Sequence, residues 1–581
     1  MYHLNDEEYV NEPYYRKTQS VCPECLQPIG AEVYEDDKQI WMRKTCEDHG
    51  DFKDLISSSA KYYKWTHYAI KDKDGNIKWQ FDKDGESNPA DFKGDDPRGC
   101  PYNCGLCEQH ISTCSLALID LTNRCNFNCN FCYANVLQSG YLVEPTLEEI
   151  DKVMKHFRSK PIPAVAIMFT GGEPTVRKDF PEICKMAKDN GFKEVIVATN
   201  GYGFQRKKGG LEFTKKCKEM GLDTLYFQFD GINNATYEKT RGIKNLMPYK
   251  QRVIDNLRTA RLDSTVLVAT IAKGVTDVEV GNIIQYAIDN IDVIRGITFQ
   301  PVSLCGRIAF EERSELRITN ADILKEIEKQ TGGKVSMENA WYPLSTIVEF
   351  GRVIAYLADV EPIEFTCHPD CGFASYMVVD PDSGEMMPIM DYFDPLKVID
   401  FANRFWAKIK NKEKQPIKLF EGLLGDFGKT LDNGLNYLDK TQLKARFLLG
   451  VLQYMKKPGK LMELFSRLLM RGDWESISSF SYGALLLSSM HFQDAYNMDL
   501  ERTKRCIVHF GVAMPDDTVR EISFCTMNTI HRSSIEKQIA KQITAKVRDE
   551  FDTTTGLEVK EITQITPEVA RNGGIKKEEK I

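Results

Sequence analysis

Two stretches of the chain carry cysteines at one spacing, C-x3-C-x2-C. LTNRCNFNCNFCYAN (121–135) supplies Cys125, Cys129 and Cys132, and GCPYNCGLC (99–107) supplies Cys100, Cys104 and Cys107. Cysteines this close suit a metal or iron–sulfur centre, and the number of thiolates decides what that centre can do. Three thiolates on a four-iron cubane leave one iron open to a small chelating molecule, whereas a fourth closes the site. The downstream triplet has no fourth cysteine near it in sequence and directly follows an apolar run. GGEPT (171–175) comes later, with glycines that let backbone approach a ligand. The upstream triplet follows the turn-like GDDPRG, and Cys114 lies seven residues past Cys107. The sequence therefore predicts an open, reactive centre on Cys125, Cys129 and Cys132. It predicts a closed auxiliary [4Fe-4S] centre on Cys100, Cys104, Cys107 and Cys114.

Most of the other cysteines also pair at chelating distances. VCPECLQPIG and KTCEDHG bring Cys22, Cys25, Cys46 and His49, a set suited to one tetrahedral ion, with iron and zinc both acceptable. Cys367 and Cys371 flank HPD, and with Cys506 and Cys525 they are expected to form a second auxiliary [4Fe-4S] centre, Cys305 being the alternative fourth ligand. Cys184 and Cys217 fall in helical segments and read as core.

The elements that must position these groups show in the hydrophobic pattern. LALIDLT (116–122), AVAIMFT (164–170), EVIVATN (194–200), DTLYFQFD (223–230), STVLVATIA (264–272) and RGITFQPV (295–302) alternate with amphipathic helical stretches. Six βα units in a row predict an α/β fold with a parallel sheet, whose function gathers at the C-terminal strand ends. The first strand runs into the cysteine loop, the second into GGEPT, the third into NGYG and the fourth into Asp230-Gly231. The expected organisation is a mononuclear metal module of rubredoxin or zinc-ribbon type (1–60), an auxiliary-cluster module (61–115), a barrel-like domain (116–310), a mixed α+β domain with the second auxiliary cluster (311–531), and a helical or flexible tail (532–581).

With 581 residues, 42% of them hydrophobic, the chain can bury a large core, and its net charge of −8 argues against a nucleic-acid partner. Seventeen cysteines without an apolar leader predict a reducing, anaerobic, cytoplasmic setting. Between Gln442 and Gly472 seven basic residues, Lys444 to Arg471, interleave with leucines and phenylalanines. Such a helix pair suits either peripheral contact with anionic lipid on the inner membrane face or a hairpin packed on the core.

The cysteine loop after the first strand and GGEPT after the second resemble the radical SAM superfamily over residues 116–302. That resemblance implies a partial (β/α)6 barrel and S-adenosyl-L-methionine bound to the open iron of the cluster on Cys125, Cys129 and Cys132. It also implies a low-potential one-electron donor of ferredoxin or flavodoxin type, whose electron yields a 5′-deoxyadenosyl radical. By the same resemblance Gly171, Gly172 and Glu173 contact the methionine amino group, Phe131 and Tyr133 lie near adenine, and Asn200, Asp230 and Arg241 reach the ribose and carboxylate. The auxiliary sites, with QPVS and GR after the sixth strand and SFCTMN near the end, are similar to an archaeal subgroup of that superfamily, the tetraether lipid synthases, over about residues 20–530. This implies three [4Fe-4S] clusters, one mononuclear iron or zinc, and archaeal dialkyl glycerol ether phospholipids joined at their terminal methyls, with the Cys367/Cys371/Cys506/Cys525 cluster trapping an alkyl radical. Relatives in the subgroup are also linked to radical methylation of a pterin, which makes a pterin or small-molecule methylase the alternative. A non-catalytic iron–sulfur carrier is the third expectation.

Overall fold

A computed structural model of the chain describes residues 4, 12–71, 75, 77–82, 85–135, 142–306, 312–379, 385–410, 440–456 and 484–540. The N-terminal module is an antiparallel meander of β1 (Tyr15–Val21), β2 (Pro28–Asp36), β3 (Gln39–Cys46) and β4 (Gly50–Ser57). Alternation places Ala31, Val33, Ile40 and Met42 on one buried face, where they pack against Ala60 and Tyr63 of the helix Ala60–His67. A short hairpin, β5 (Ala69–Lys71) and β6 (Ile77–Trp79), follows.

The six apolar runs become β7 (Leu116–Thr122), β8 (Ala166–Gly171), β9 (Glu194–Thr199), β10 (Thr224–Gln228), β11 (Thr265–Ile271) and β12 (Ile294–Pro301), all parallel and hydrogen-bonded in chain order. On β7, Ala117, Ile119 and Leu121 enter the main core with Ile150, Val153 and Phe157 of the helix Leu147–Arg158. That helix starts on a reciprocal cap between Thr146 and Glu149. The alternate residues of each strand face the concave side.

The sheet does not stop near residue 310, where the sequence reading ends the barrel. The remaining strands are β13 (Tyr342–Pro343), β14 (Gly372–Val379), β15 (Met386–Pro388), β16 (Ala484–Met490), β17 (Val508–Ala513) and β18 (Val519–Ser523). β16 adds parallel to β12 and β17 adds parallel to β7, so residues from one late segment occupy both flanks of the six-strand core. The 12-stranded sheet runs β13-β14-β16-β12-β11-β10-β9-β8-β7-β17-β18, with β15 on β14. The described strands between residues 311 and 531 thus extend the barrel's sheet. The apolar SYGALLLSSMHF is explained the same way, since its strand β16 lies buried within the sheet.

The first part of the basic helical stretch forms the helix Lys440–Leu452, and residues 457–472 lie outside the described residues. Its Phe447 and Val451 are buried against Phe401 and Phe405 of the helix Pro395–Lys410, so this apolar face is covered by protein, not lipid. Among the described residues no helix is long and apolar enough to cross a membrane.

Candidate active site and metal centres

The cysteine loop leaves the end of β7 and is held there by backbone. Gly172 N–H donates to the Thr122 carbonyl at 2.7 Å and Glu173 N–H to that of Arg124 at 2.8 Å. The two glycines permit this approach. Gly171 adopts φ +121°, a left-handed region that favours glycine, and a Cβ on Gly172 would stand 2.1 Å from the Arg124 oxygen. Glu173 is fully buried. Its Oε1 accepts from Thr175 N (3.1 Å), Thr175 Oγ1 (2.6 Å) and Thr199 Oγ1 (2.8 Å), and its Oε2 accepts from Asn200 N (2.7 Å). Burial pushes its carboxyl up while these bonds oppose the shift. GGE therefore ties the ends of β7, β8 and β9 together, its carboxylate accepting from donors on the β8 and β9 exits.

Cys125, Cys129 and Cys132 converge beside this turn. Burial first, and then the charge of Cys129, push the Cys125 thiol up, and burial raises that of Cys129 against the opposing Arg241 guanidinium. That donor set fits a [4Fe-4S] cluster. Arg241 braces the loop. It pairs bidentately with buried Asp230 (Nε–Oδ2 2.6 Å, Nη2–Oδ1 2.7 Å) and donates to the Phe131 carbonyl (3.0 Å) and Thr270 Oγ1 (3.1 Å). Asp230 and Arg241, expected at ribose and carboxylate, pair with each other beside the loop. Asn200 donates to Asn126 Oδ1 at 2.9 Å, a further tie to the loop. Phe131 packs with Ala272, Val302 and Leu316. Tyr133, expected near adenine, stacks on Phe524 (5.4 Å between centroids, 14°) and faces the C-terminal cysteines.

In the N-terminal meander one ligand atom each from Cys22, Cys25, Cys46 and His49 lies within 4.8 Å of all the others. Nδ1 of His49 stands 3.4 Å from Cys46 Sγ and 3.7 Å from Cys22 Sγ. The four come from the β1–β2 and β3–β4 turns, and the set fits one tetrahedral ion. Cys46→Ala should lose about one metal equivalent per chain while the iron of the barrel cluster stays, as elemental analysis would read.

The radical SAM superfamily profile matches residues 119–287, and an HMPTM N-terminal zinc ribbon domain matches residues 14–58. A 7,8-dihydro-6-hydroxymethylpterin dimethyltransferase of Methanocaldococcus jannaschii is 39% identical over 527 residues, 90% of this chain and 96% of its own. The chain belongs to the radical SAM superfamily, in the family of that dimethyltransferase. An Fe-coproporphyrin III synthase of Methanosarcina barkeri is 36% identical over 24% of this chain and 32% of its own. Among solved structures, that of HydG, a maturase of the [FeFe]-hydrogenase, covers 38% of this chain and 50% of its own at 16% identity, with a TM-score of 0.30.

Around this radical SAM centre the other cysteines form two adjoining groups. Cys367 neighbours Cys371 and lies within electrostatic reach of Cys506, and Cys525 lies within reach of both Cys506 and Cys371. Cys367 first, with help from Arg502, lowers the Cys371 thiol despite its burial. Cys305 sits between Cys525 and Cys132, its thiol donating to the Tyr133 carbonyl at 3.8 Å. In the upstream triplet Cys100 neighbours Cys104 and Cys107. Burial would raise the Cys104 thiol, but bonds from His531, Ser523 and Thr526 hold it at about 6. Cys104 also reaches Cys506, so the two auxiliary groups adjoin.

Cys114 departs from the expected set. Its ligand atom lies within 4.8 Å of those of His509 and Glu521, all three buried, and His509 Nδ1 is 3.0 Å from Glu521 Oε2. Chain proximity suggested a fourth thiolate, but the step into β7 carries Cys114 toward β17 and β18 instead.

Sequence reasoning also missed the concave face. Strand register aligns Leu118 with Met168 and Ile196, Asp120 with Thr170, Tyr226 with Val266, Val268 with Thr298, and Thr298 with Ser488. Gln300 Nε2 donates to Tyr226 Oη at 2.8 Å across β11, and Ser488 Oγ donates to Thr298 Oγ1 at 2.9 Å. The strand bases carry apolar residues covered by Phe524, Met527 and Ile535, while the C-terminal ends carry Asp120, Thr170, Gln228 and Gln300. The signal was present: Asp in LALIDLT and Gln in TLYFQF and GITFQP interrupt otherwise apolar strands. Lys250 is equally silent in sequence. Fully buried, it donates to the carbonyls of Asn200 (3.0 Å) and Gln228 (2.7 Å), and burial lowers its ammonium to about 7.

Proposed function

We propose that the protein is a radical SAM methyltransferase acting on a reduced 6-hydroxymethylpterin. The observation that carries this is 39% identity to the pterin dimethyltransferase along nearly the whole of both chains. The concave face supports the same substrate class. Two long hydrocarbon tails call for an apolar tunnel, whereas the strand ends near the cysteine loop present carboxylate, amide and hydroxyl groups. The tail-joining reading lacks that support, and so does a membrane role for the helix Lys440–Leu452, whose Phe447 and Val451 pack on the helix Pro395–Lys410.

With cluster and SAM bound at Cys125, Cys129 and Cys132, the site would supply a 5′-deoxyadenosyl radical. The protein's share is positioning and shielding. Glu173 fixes three strand ends, the Asp230–Arg241 pair holds the loop, and Tyr133 packs with Phe492 and Phe524 next to Cys525. We assign further iron–sulfur chemistry to the Cys100/Cys104/Cys107 and Cys367/Cys371/Cys506/Cys525 groups, the metal of the ribbon to Cys22, Cys25, Cys46 and His49, and electron supply to a ferredoxin or flavodoxin type donor.

The test is expression in an anaerobic bacterial host fed methyl-labelled methionine, followed by mass analysis of its pterins. Methylated hydroxymethylpterin that disappears in a Cys125→Ala variant is expected, and the label shows whether SAM donates the carbon. Purified enzyme should form 5′-deoxyadenosine faster with the dihydropterin present. If neither pterin product nor pterin-dependent turnover appears, and deuterium instead passes from chain-end-labelled ether lipid into 5′-deoxyadenosine, the lipid reading replaces this one.

A further inference from the structure

Asp120 is a carboxylate on the first barrel strand, two residues before the exit toward Cys125. It lies on the concave face by register with Thr170. Its Oδ2 meets Arg532 Nη1 at 2.5 Å, but Oδ1 is shielded from solvent and has no hydrogen-bond partner. Across the same face, Gln228 spends its Oε1 on Lys250 (2.7 Å), while its Nε2 is likewise shielded and unpartnered. A desolvated acceptor and a desolvated donor left open cost stability unless something fills them. Asp120 lies near the C-terminal end of β7, which carries the cysteine loop, and Gln228 closes the C-terminal end of β10.

We propose that Asp120 receives the donor edge of the substrate's 2-aminopyrimidin-4-one ring, with Gln228 Nε2 donating to an acceptor on the same ring system. This rests on the pterin reading above. The chemistry is the pairing of a fork with a fork: N3–H and the exocyclic amine point in parallel, and a carboxylate accepts two parallel N–H bonds. A carboxylate has about four lone-pair sites, so Oδ2 keeps Arg532 while accepting from the ring. Arg532 also binds Asn528 Oδ1 at 2.8 Å and lies 5.3 Å over Phe510, which fixes the guanidinium behind the carboxylate. Asp120 is thereby a specificity-determining residue, selecting rings that carry a 2-amino group.

The experiment is equilibrium binding of 7,8-dihydro-6-hydroxymethylpterin, and of its 2-oxo analogue, to the reconstituted full-length protein. Wild type should prefer the 2-amino ring by about 10- to 100-fold, the span of a charge-assisted hydrogen bond. Asp120→Asn should bring the preference to within about twofold, because its amide offers one acceptor and opposes the amine with a donor. Iron content and SAM binding should stay at wild-type levels. Arg532→Gln, which leaves the carboxylate, should keep the preference. If Asp120→Asn loses iron, Asp120→Glu serves instead, since it keeps the charge opposite Arg532, and its displaced carboxylate should cut the preference at least about fivefold. A preference unchanged in a folded Asp120 variant overturns the assignment and leaves the pterin reading standing, with Asp120 only the counterion of Arg532. If wild type binds neither ring, the pterin reading itself falls.

Discussion

Arg241→Met should destabilise the protein by about 3–5 kcal/mol, the usual effect of removing one partner of a buried ion pair. It should also free the cysteine loop. Asp230 is fully buried, and its carboxylate otherwise keeps only Thr240 Oγ1 (2.9 Å) and the Thr270 N–H (3.2 Å). Burial drives its carboxyl up, and the Arg241 guanidinium holds it below the ordinary range. The sign with pH follows. In wild type the pair contributes stability above the unfolded carboxyl pKa and loses it as acid protonates Asp230. In Arg241→Met the native pKa lies above the unfolded one, so the deficit is largest at neutral pH and shrinks on acidification. Anaerobic denaturant melts at two pH values read both effects. The double variant Asp230→Leu/Arg241→Met should recover most of the stability, because it removes both charges of the pair together. It should not recover the loop, which also loses the bond to the Phe131 carbonyl. A single variant as stable as wild type at neutral pH would refute the role given to the pair.

Gly172→Ala should abolish the barrel cluster. The added methyl carbon would stand 2.1 Å from the Arg124 carbonyl oxygen and 3.0 Å from the Asn123 carbonyl carbon, both backbone. Neither can rotate away, so the strand exit must shift and the 2.7 Å and 2.8 Å bonds to Thr122 and Arg124 must break. Displacing the loop by a fraction of an ångström misplaces three sulfurs at once. Iron should fall by about four atoms per chain, one cubane, with the ribbon metal retained. Gly351→Ala is the control. It lies in the helix Val348–Ala358, a Cβ there meets only the Ile363 oxygen at 3.7 Å, and alanine suits a helix better. Full iron in Gly172→Ala would show that the close approach is dispensable.

The parts legible in sequence were those written in local pattern. Six strands stand within two residues of the apolar runs at either end, because a strand buried on both faces must be apolar almost throughout. The zinc-ribbon ligands were legible because each pair sits in a short turn of fixed reach. What failed was long-range. Arg241 and Asp230 are eleven residues apart, and nothing local says that they bond to each other. Cys114 follows Cys107 closely, yet its neighbours His509 and Glu521 lie some four hundred residues downstream. The late strands were read as another domain because sequence pattern carries no information about which edge a strand joins. Polar residues inside strands were the overlooked cue: Asp120, Gln228 and Gln300 interrupt apolar runs at the C-terminal strand ends.

The placement of β16 and β17 has a bearing on biogenesis. Synthesis runs from the N-terminus, so β7 to β12 leave the ribosome nearly two hundred residues before the strands that flank them. Throughout that interval both borders of the nascent sheet stay unpaired, open to aggregation and equally to the factors that deliver iron and sulfide. Metallation of the Cys125 loop can therefore precede closure, whereas any centre using Cys506 and Cys525 must wait for the last part of the chain.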